Sequence, residues 1–207
     1  MRRWIEIGIT LAVSALLLGG LWQSNQQNMT QEIAQKVIRF HVRANSDAKA
    51  DQELKLKVRD AVGAYMQPKL AGIFDIEMSR QTLKKSLPQI EETAAHVIAK
   101  EGYDYGVTAA LTITDFPEKT YGDYTFPAGQ YEALELVIGK GAGHNWWCVM
   151  YPNLCFFNSV YEVVDEEAER SLQQVLTKEE YQSLMEKKNY KVTSLLAERI
   201  REIFENH

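Results

Sequence analysis

The sequence predicts an α+β domain in which an antiparallel sheet packs against helices, preceded by an N-terminal hydrophobic export or anchor helix. Three observations lead to this prediction. Helical periodicity covers most of residues 47–100, strand-like runs follow one another from 106 to 151, and helical patterns return from 165. Helices and strands that do not alternate regularly are typical of the α+β class. Consecutive strands on short loops further predict an antiparallel meander.

The composition is that of an ordinary globular protein, with 207 residues that are 45% hydrophobic and 25% charged. The net charge is −5 and no basic block is present. This argues against nucleic acid as a partner, because phosphate binding needs a clustered basic face. The two cysteines are too few for a four-cysteine zinc site. We expect no metal, and we also expect no cofactor and no small-molecule substrate.

The N-terminus predicts passage across a membrane. Arg2 and Arg3 precede an apolar segment from Trp4 to Trp22 whose only charge is Glu6, which is the pattern of an export signal. The segment also just reaches the length of a membrane-spanning helix. Its apolar surface runs all the way round, which disfavours a buried amphipathic helix of a cytosolic protein. We expect the paired arginines to stay on the cytoplasmic side and the rest of the chain to be exported.

This segment sets the expected domain organisation. Residues 1–24 are a signal peptide or a membrane anchor, residues 25–35 are a polar linker, and residues 36–207 form a single α+β domain. No clear small-residue cleavage site follows the apolar segment. A secreted body and a body anchored by an uncleaved helix therefore both stay open.

The first half of the body predicts one strand and two helices. Lys36–Val42 is rich in β-branched and aromatic residues, as strands are. A helix follows to about Met66, with apolar residues at helical spacing. A second helix covers Ser79 to about Lys100, and Pro88 inside it is expected to kink or divide it.

The middle of the chain predicts the sheet. Gly106–Phe116 alternates apolar residues with threonines, Tyr121–Phe126 is a short second run, and Gln130–Ile138 is a third strand. Gly139–Asn145 is a loop, and Trp146–Tyr151 is the last strand of the series. After the sheet, a capping-box pattern over 177–180 and an amphipathic pattern over 192–204 predict two further helices.

The segment Gly139–Phe156 contains three glycines, two tryptophans and both cysteines. Its glycine spacing suggests a phosphate loop, but the lysine–serine/threonine ending and the following helix N-terminus are missing. The pattern therefore favours a glycine-rich turn between two strands. Trp146 and Trp147 are adjacent, so in a strand their side chains point to opposite faces.

The two cysteines allow two interpretations. In an exported protein, Cys148 and Cys155 are most simply a disulfide. Alternatively, Cys148 is a nucleophile with His41 or His144 as its base, which would make the chain an exported thiol-dependent hydrolase. No local thiol-protease pattern surrounds Cys148, and a lone histidine in a strand is more often a packing residue than a ligand. The residues themselves leave both interpretations open.

Several segments together resemble the stage II sporulation protein R family of endospore-forming bacteria. The matching segments are Ile38–Asp47, Leu54–Val62, Tyr121–Gly122, Phe126–Leu134 and Gly139–Phe156. The last of them is the most specific, because a glycine loop, paired tryptophans and paired cysteines rarely coincide. The resemblance spans most of the body, and the C-terminal helices contribute nothing to it.

The resemblance implies a signalling protein without catalytic residues of its own. A member of this family is made in the forespore and exported into the space between the two membranes that surround it. There it triggers a membrane-embedded aspartic protease of the mother cell, which cleaves pro-sigma-E. A structural envelope protein without a signalling role is the blander alternative.

The recurrent motif positions are the candidate contacts with the receptor protease. The expected surface combines the Gly139–Trp147 loop with the end of the Phe40–Asn45 strand. The candidate partner-binding residues are His41, Arg43, Asn45, Tyr121, Gly141, Gly143, Asn145, Trp146 and Trp147. Cys148 and Cys155 are the candidate disulfide.

Overall fold

A four-stranded sheet forms the centre of the computed structural model, which describes residues 14, 17, 20, 24, 27–152, 154 and 166–185. Its strands are β1 (Ile38–Arg43), β2 (Val107–Phe116), β5 (Gly129–Ile138) and β6 (Asn145–Tyr151). A separate hairpin consists of β3 (Lys119–Tyr121) and β4 (Tyr124–Phe126). The described helices are α1 (residues 27–34), α2 (Lys49–Leu70), α3 (Ile76–Lys100), α4 (Glu166–Val175) and α5 (Lys178–Met185).

The sheet has the strand order β2-β5-β1-β6. β1 runs parallel to β5 and antiparallel to β6, and β2 runs antiparallel to β5. The α+β class is thus confirmed, but the prediction of a purely antiparallel meander is wrong. β1 comes first in the chain and inserts between β5 and β6. Residues Ile38–Val42 are all buried, as expected for a central strand that is covered on both faces.

Two hydrophobic cores lie on the two faces of the sheet. In the first core, α2 and α3 cover the apolar side chains of β1. The α2 residues in this core recur at helical spacing and are Leu54, Val58, Val62, Met66 and Leu70. The second core receives side chains from the β3–β4 hairpin, α1, α4 and α5. Its members include Ile33, Phe126, Tyr131, Leu172 and Leu184.

Local sequence explains the ends of the helices. The Asp75 carboxylate caps α3 by accepting a hydrogen bond from the Met78 N–H at 2.7 Å. Pro88 does not divide α3, which runs unbroken to Lys100. Pro88 is exposed, so water can reach the carbonyl that its missing N–H leaves unpaired.

The predicted capping box at the start of α5 is confirmed. The Thr177 N–H donates to the Glu180 carboxylate at 2.7 Å, and the Glu180 N–H donates to Thr177 Oγ1 at 3.2 Å. The same carboxylate accepts from Lys36 Nζ at 2.6 Å. This ion pair joins α5 to the segment that leads into β1.

The chain termini are only partly described. Residues 27–34, inside the expected linker, are helical, and Ile33 is buried in the second core. The predicted export segment Trp4–Trp22 lies almost entirely outside the described residues. Within the part of the chain that the structure describes, no helix is long and apolar enough to cross a membrane. The export or anchor helix stays a prediction, and the predicted helix over 192–204 lies outside the described residues.

Candidate functional site

Strand β1 places its three basic residues on one face of the sheet. Its apolar residues enter the first core, so Arg39, His41 and Arg43 lie on the opposite face. In the β1–β6 ladder, Trp147 lies opposite His41, and Asn145 lies opposite Arg43. The structure thus brings four of the predicted partner-binding residues together. We call His41, Arg43, Asn145 and Trp147 the candidate face.

The centre of the candidate face is a stack of His41 and Trp147. Their ring centroids are 5.0 Å apart and the ring planes are almost parallel, at 5° to each other. Phe116 packs edge-on against both rings, with centroid distances of 5.4 Å to His41 and 4.6 Å to Trp147. Offset stacked and edge-to-face pairs are the favourable aromatic geometries, so this cluster fixes the orientation of Trp147.

His41 is a neutral imidazole in this environment. It is 1% exposed, and neither ring nitrogen has a hydrogen-bond partner in the described part of the chain. Burial, reinforced by the charges of Arg43 and Arg39, lowers its pKa from 6.5 to about 4. Glu135 Oε1 lies 3.6 Å from Nε2, which is too far for a hydrogen bond. His41 therefore packs as an aromatic ring at neutral pH.

Arg43 extends the candidate face towards solvent. Its side chain is 43% exposed, and its Nη1 lies 3.7 Å from Glu135 Oε1. Glu135 is paired in register with Ala110 of β2, and Ala110 and Thr108 are exposed on the same face of the sheet. This half of the face is open to solvent, because the second core covers only the other half.

A turn and a loop meet beside the candidate face. Asn45 joins them with its side chain: Oδ1 accepts from the Lys140 N–H at 3.0 Å, and Nδ2 donates to Asp51 Oδ2 at 2.9 Å. The Asn45 carbonyl also accepts from the Ala142 N–H at 3.2 Å. We call the Ala44–Asp47 turn and the Gly139–His144 loop the turn–loop corner.

Asp51 holds the turn side of this corner from the first turn of α2. Its carboxylate also accepts from Ser46 Oγ at 2.5 Å, and Asp51 is 5% exposed. The hydrogen bonds from Ser46 and Asn45 lower the pKa of this carboxyl. Asp51 therefore stays ionised and keeps the Ser46 and Asn45 side chains in place at physiological pH.

The glycines of the loop are needed for close approach. A Cβ on Gly143 would overlap the backbone carbonyl oxygen of Ser46. Gly141 has a φ of 59°, and a Cβ there would lie 2.5 Å from Val137 Cγ1. The two predicted partner-binding glycines therefore let the loop pack closely against the turn and against Val137.

His144 and Lys55 close the outer side of the corner. The His144 N–H donates to Asp47 Oδ1 at 2.6 Å, and the imidazole Nδ1 contacts the same carboxylate. The backbone hydrogen bond from His144 lowers the pKa of Asp47. Lys55 Nζ donates to the His144 carbonyl at 3.0 Å. The Gly139–His144 loop is therefore hydrogen-bonded to both the Ala44–Asp47 turn and α2.

Trp146 and Tyr121 lie away from the candidate face. Trp146 points to the face opposite Trp147, as predicted, where its ring meets Phe40 edge-on at 5.5 Å. The Arg59 guanidinium of α2 lies 4.9 Å from the Trp146 ring centroid. Tyr121 is 6% exposed in the second core.

Sequence reasoning missed the role of Arg39, which lies at the centre of the second core. It is fully buried, and its guanidinium lies 4.5 Å from the Phe116 ring centroid and 4.9 Å from that of Tyr131. Nε donates to the Cys148 carbonyl at 2.9 Å, and Nη2 donates to the Tyr121 hydroxyl at 3.0 Å. Burial lowers the pKa of this guanidinium. The available signal was an arginine between two large apolar residues, Ile38 and Phe40, inside a predicted strand.

The geometry gives the thiol-hydrolase interpretation no assembled site. In the β1–β6 ladder, Cys148 lies opposite Phe40 and His41 lies opposite Trp147. Neither ring nitrogen of His41 has a hydrogen-bond partner in the described part of the chain, so Cys148 and His41 form no nucleophile–base pair. Cys148 is 4% exposed, and no described cysteine is free. Cys155 lies outside the described residues, so the Cys148–Cys155 pairing stays a prediction.

The site as a whole has the chemistry of a binding surface. Among the described residues no cluster of three His, Cys, Asp or Glu side chains could hold a metal ion. What the structure assembles instead is a fixed tryptophan, an arginine at the rim and a hydrogen-bonded corner. Aromatic and arginine side chains are the usual anchors of protein interfaces.

Comparison with known proteins places the chain in a family. The family model described as "Stage II sporulation protein R" matches residues 34–161. The Bacillus subtilis (strain 168) protein named "Stage II sporulation protein R" is 36% identical over 174 residues, which cover 80% of this chain and 78% of that protein. No solved structure matches the chain.

Proposed function

Because the chain belongs to the stage II sporulation protein R family and so has a role in sporulation, we propose that it is an exported signal that activates a protease by binding. It leaves the forespore for the space between the two surrounding membranes. There it binds the external part of a membrane-embedded aspartic protease of the mother cell. The protease then processes pro-sigma-E. The observation that carries this proposal is the family match over residues 34–161.

The candidate face is the proposed docking surface. Its open half combines Trp147, Arg43 and Asn145 with the exposed Thr108 and Ala110 of β2. Threonine and alanine side chains are short, so a partner could approach the sheet closely there. Arg43 is the charged group at the rim, and it suits an acidic side chain of the receptor.

The turn–loop corner supports this surface. The Gly139–His144 loop leads directly into β6, and its backbone is hydrogen-bonded to Ala44 and Asn45. A surface that is already ordered loses little conformational entropy on binding. The corner therefore favours tight docking without rearrangement of the signalling domain.

Activation requires that the chain bind one state of the receptor better than the other. A ligand shifts a conformational equilibrium only by its difference in affinity for the two states. We propose that the candidate face is complementary to the active arrangement of the receptor's external part. No bond is made or broken by the signalling domain in this account.

The test compares two charge-removing variants in cells that contain the receptor protease and pro-sigma-E. We expect Arg43→Ala to reduce pro-sigma-E processing at least about tenfold, as for loss of an interface anchor. Lys85→Ala, on the exposed side of α3, is the matched control and should process normally. Both variants must be exported and folded as the wild type is.

Two outcomes would count against the proposal. Normal processing by the Arg43→Ala, Asn145→Ala and Trp147→Ala variants would exclude the candidate face as the docking surface. Normal processing in cells that lack the chain altogether would exclude its role as the activator.

A further inference from the structure

Strand β2 is a long edge of the sheet. It pairs with β5 along its whole length, from Val107 to Phe116. On its other side no strand is paired within the part of the chain that the structure describes. An unpaired edge presents backbone N–H and C=O groups that can pair with another strand.

The outward backbone groups of β2 belong to its odd-numbered residues. The Gly106 carbonyl accepts from the Gly139 N–H at 2.8 Å, so Gly106 points towards β5. The Ala109 N–H instead donates to Glu91 Oε1 of α3 at 2.8 Å. Backbone groups alternate along a strand, so Leu111 and Ile113 also point outwards.

Beyond Ala109, whose outward N–H is already engaged by Glu91 of α3, this edge lacks the features that normally keep strands apart. β2 contains no lysine and no proline, and its only charge is Asp115. Its register with β5 shows no bulge over ten residues. Ile113 is 63% exposed on the strand. Natural proteins usually protect such an edge with lysine, proline, a bulge or a very short strand.

We infer that the β2 edge pairs with the β2 edge of a second copy of the chain. The favoured arrangement is antiparallel, with Thr112 opposite Thr112 of the other copy. Leu111 then lies opposite Ile113, and Ala110 lies opposite Thr114. Apolar and threonine cross-strand pairs stabilise antiparallel strands. About four backbone hydrogen bonds would join the copies through Leu111 and Ile113.

Glu91 and Asp115 select this register. With Thr112 on the axis, Asp115 lies opposite Ala109, whose N–H is already engaged by Glu91, so pairing ends there. A register centred on Ile113 would place Asp115 opposite Leu111, and so would pair a charged side chain with an apolar one. A register centred on Leu111 would place Ile113 opposite Ala109 and its Glu91 contact.

The pairing would have a consequence for the candidate face. A two-fold axis between antiparallel strands is perpendicular to the sheet, so both copies keep the same face on the same side. The dimer would present two candidate faces to one side of a continuous eight-stranded sheet. The pairing itself does not depend on the receptor or on the proposed function.

Disulfide capture with the full-length chain in a mild non-ionic detergent tests the register. In the proposed dimer, the Cα atoms of the two Thr112 residues are about 4.5 Å apart, because they form a non-hydrogen-bonded pair. The Thr112→Cys variant should therefore form a covalent dimer under mild oxidation. The Thr114→Cys variant is the matched control, since its two copies would lie about 13 Å apart. The wild-type chain controls for Cys148 and Cys155.

Sedimentation of charge variants tests how strongly the β2 edges of two copies pair. Ile113→Lys should weaken dimerisation about tenfold or more, because it replaces an apolar pair with a charge at the edge. Thr108→Lys, outside the paired segment, should dimerise as the wild type does. Equal covalent capture of the Thr112→Cys and Thr114→Cys variants would overturn the inference. So would a monomeric wild-type chain at tens of micromolar, or unchanged dimerisation of Ile113→Lys.

Discussion

Arg39 shows how a single residue organises the second core. Its guanidinium is buried, and aromatic rings and two neutral hydrogen-bond acceptors surround it. No carboxylate within ion-pair distance is found for it in the described part of the chain. Burial of a cation without a carboxylate is expensive, and the contacts with ring faces offset part of that cost. The rings of Phe116 and Tyr131 are thereby held in place beside the candidate face.

Replacement of Arg39 tests this account. Arg39→Ala should lower the free energy of unfolding by roughly 3–5 kcal/mol, because it leaves a cavity and removes the donors to Cys148 and Tyr121. Arg39→Met, which fills a similar volume without charge, should cost less than half as much. Urea unfolding followed by tryptophan fluorescence measures both values. Equal losses for the two variants would show that the volume of the side chain at position 39 contributes nothing to stability.

His41 gives the stability of the domain a specific dependence on pH. Its pKa is about 4 in the folded chain and about 6.5 in an unfolded chain. Between these values the unfolded state binds more protons than the folded state, so stability falls as pH falls. The loss from His41 alone amounts to about 3 kcal/mol between pH 7 and pH 4.

Comparing the stability of the wild type with that of His41→Phe separates the contribution of His41 to this pH dependence from that of the acidic residues. The stability of the wild type relative to His41→Phe should fall as the pH is lowered from 6.5 towards 4. Denaturant unfolding at several pH values measures this difference, and the imidazole proton shifts in NMR report the His41 pKa directly. A constant stability difference, or a His41 pKa near 6.5, would contradict the buried neutral imidazole.

At the scale of elements, the sequence predicts the helices and strands that depend on neighbouring residues, and it misses the pairing of strands that are far apart in the chain. Helical spacing and alternation predict α2, α3, β2 and β5 within a few residues, because these patterns depend on neighbours in the chain. The order of the strands depends instead on contacts such as Arg39 with Ala133 and Val149, which are far apart in sequence. The basic residues of β1 alternate with apolar ones, so the strand does not look like one that is buried on both faces.

The turn–loop corner is the element whose stability can be tested most directly. Gly143→Ala would place a Cβ against the Ser46 carbonyl, so the backbone must move and the Asn45 hydrogen bonds must weaken. We expect a loss of about 2 kcal/mol or more in the free energy of unfolding. Gly106→Ala is the matched control, because nothing lies within 4 Å of its added Cβ.

Thermal and urea unfolding of the two glycine variants give the comparison. The Gly106→Ala variant should lie within about 1 kcal/mol of the wild type. If the Gly143→Ala variant were equally stable, the loop would not be held against the turn as described. The same measurement would then remove the physical reason for a pre-ordered docking surface.

At the scale of the whole molecule, the sheet decides which motif residues can act together. His41, Arg43, Asn145 and Trp147 share a face because β1 and β6 are paired, and no local pattern contains that pairing. Asn45, Gly141 and Gly143 shape the corner beside this face. Tyr121 and Trp146 pack in other places, so recurrence in a sequence motif alone does not distinguish surface contacts from packing.

The candidate face also fits a protein that acts by contact. The second core covers one part of the sheet, and the other part is open and carries Arg43 and Trp147 at its rim. In the described part of the chain, no hydrogen bond joins Cys148 to His41. These features are consistent with a signalling domain that presents a surface.

Reconstitution of the receptor protease with pro-sigma-E in lipid vesicles tests the central claim most directly. The purified chain is added on the side of the membrane that bears the receptor's external part, and cleavage of pro-sigma-E is followed with time. We predict that cleavage begins on addition of the chain, rises to saturation with its concentration, and leaves the chain itself unaltered. Cleavage that is independent of the added chain, or an absence of binding between the chain and the receptor, would contradict activation by binding.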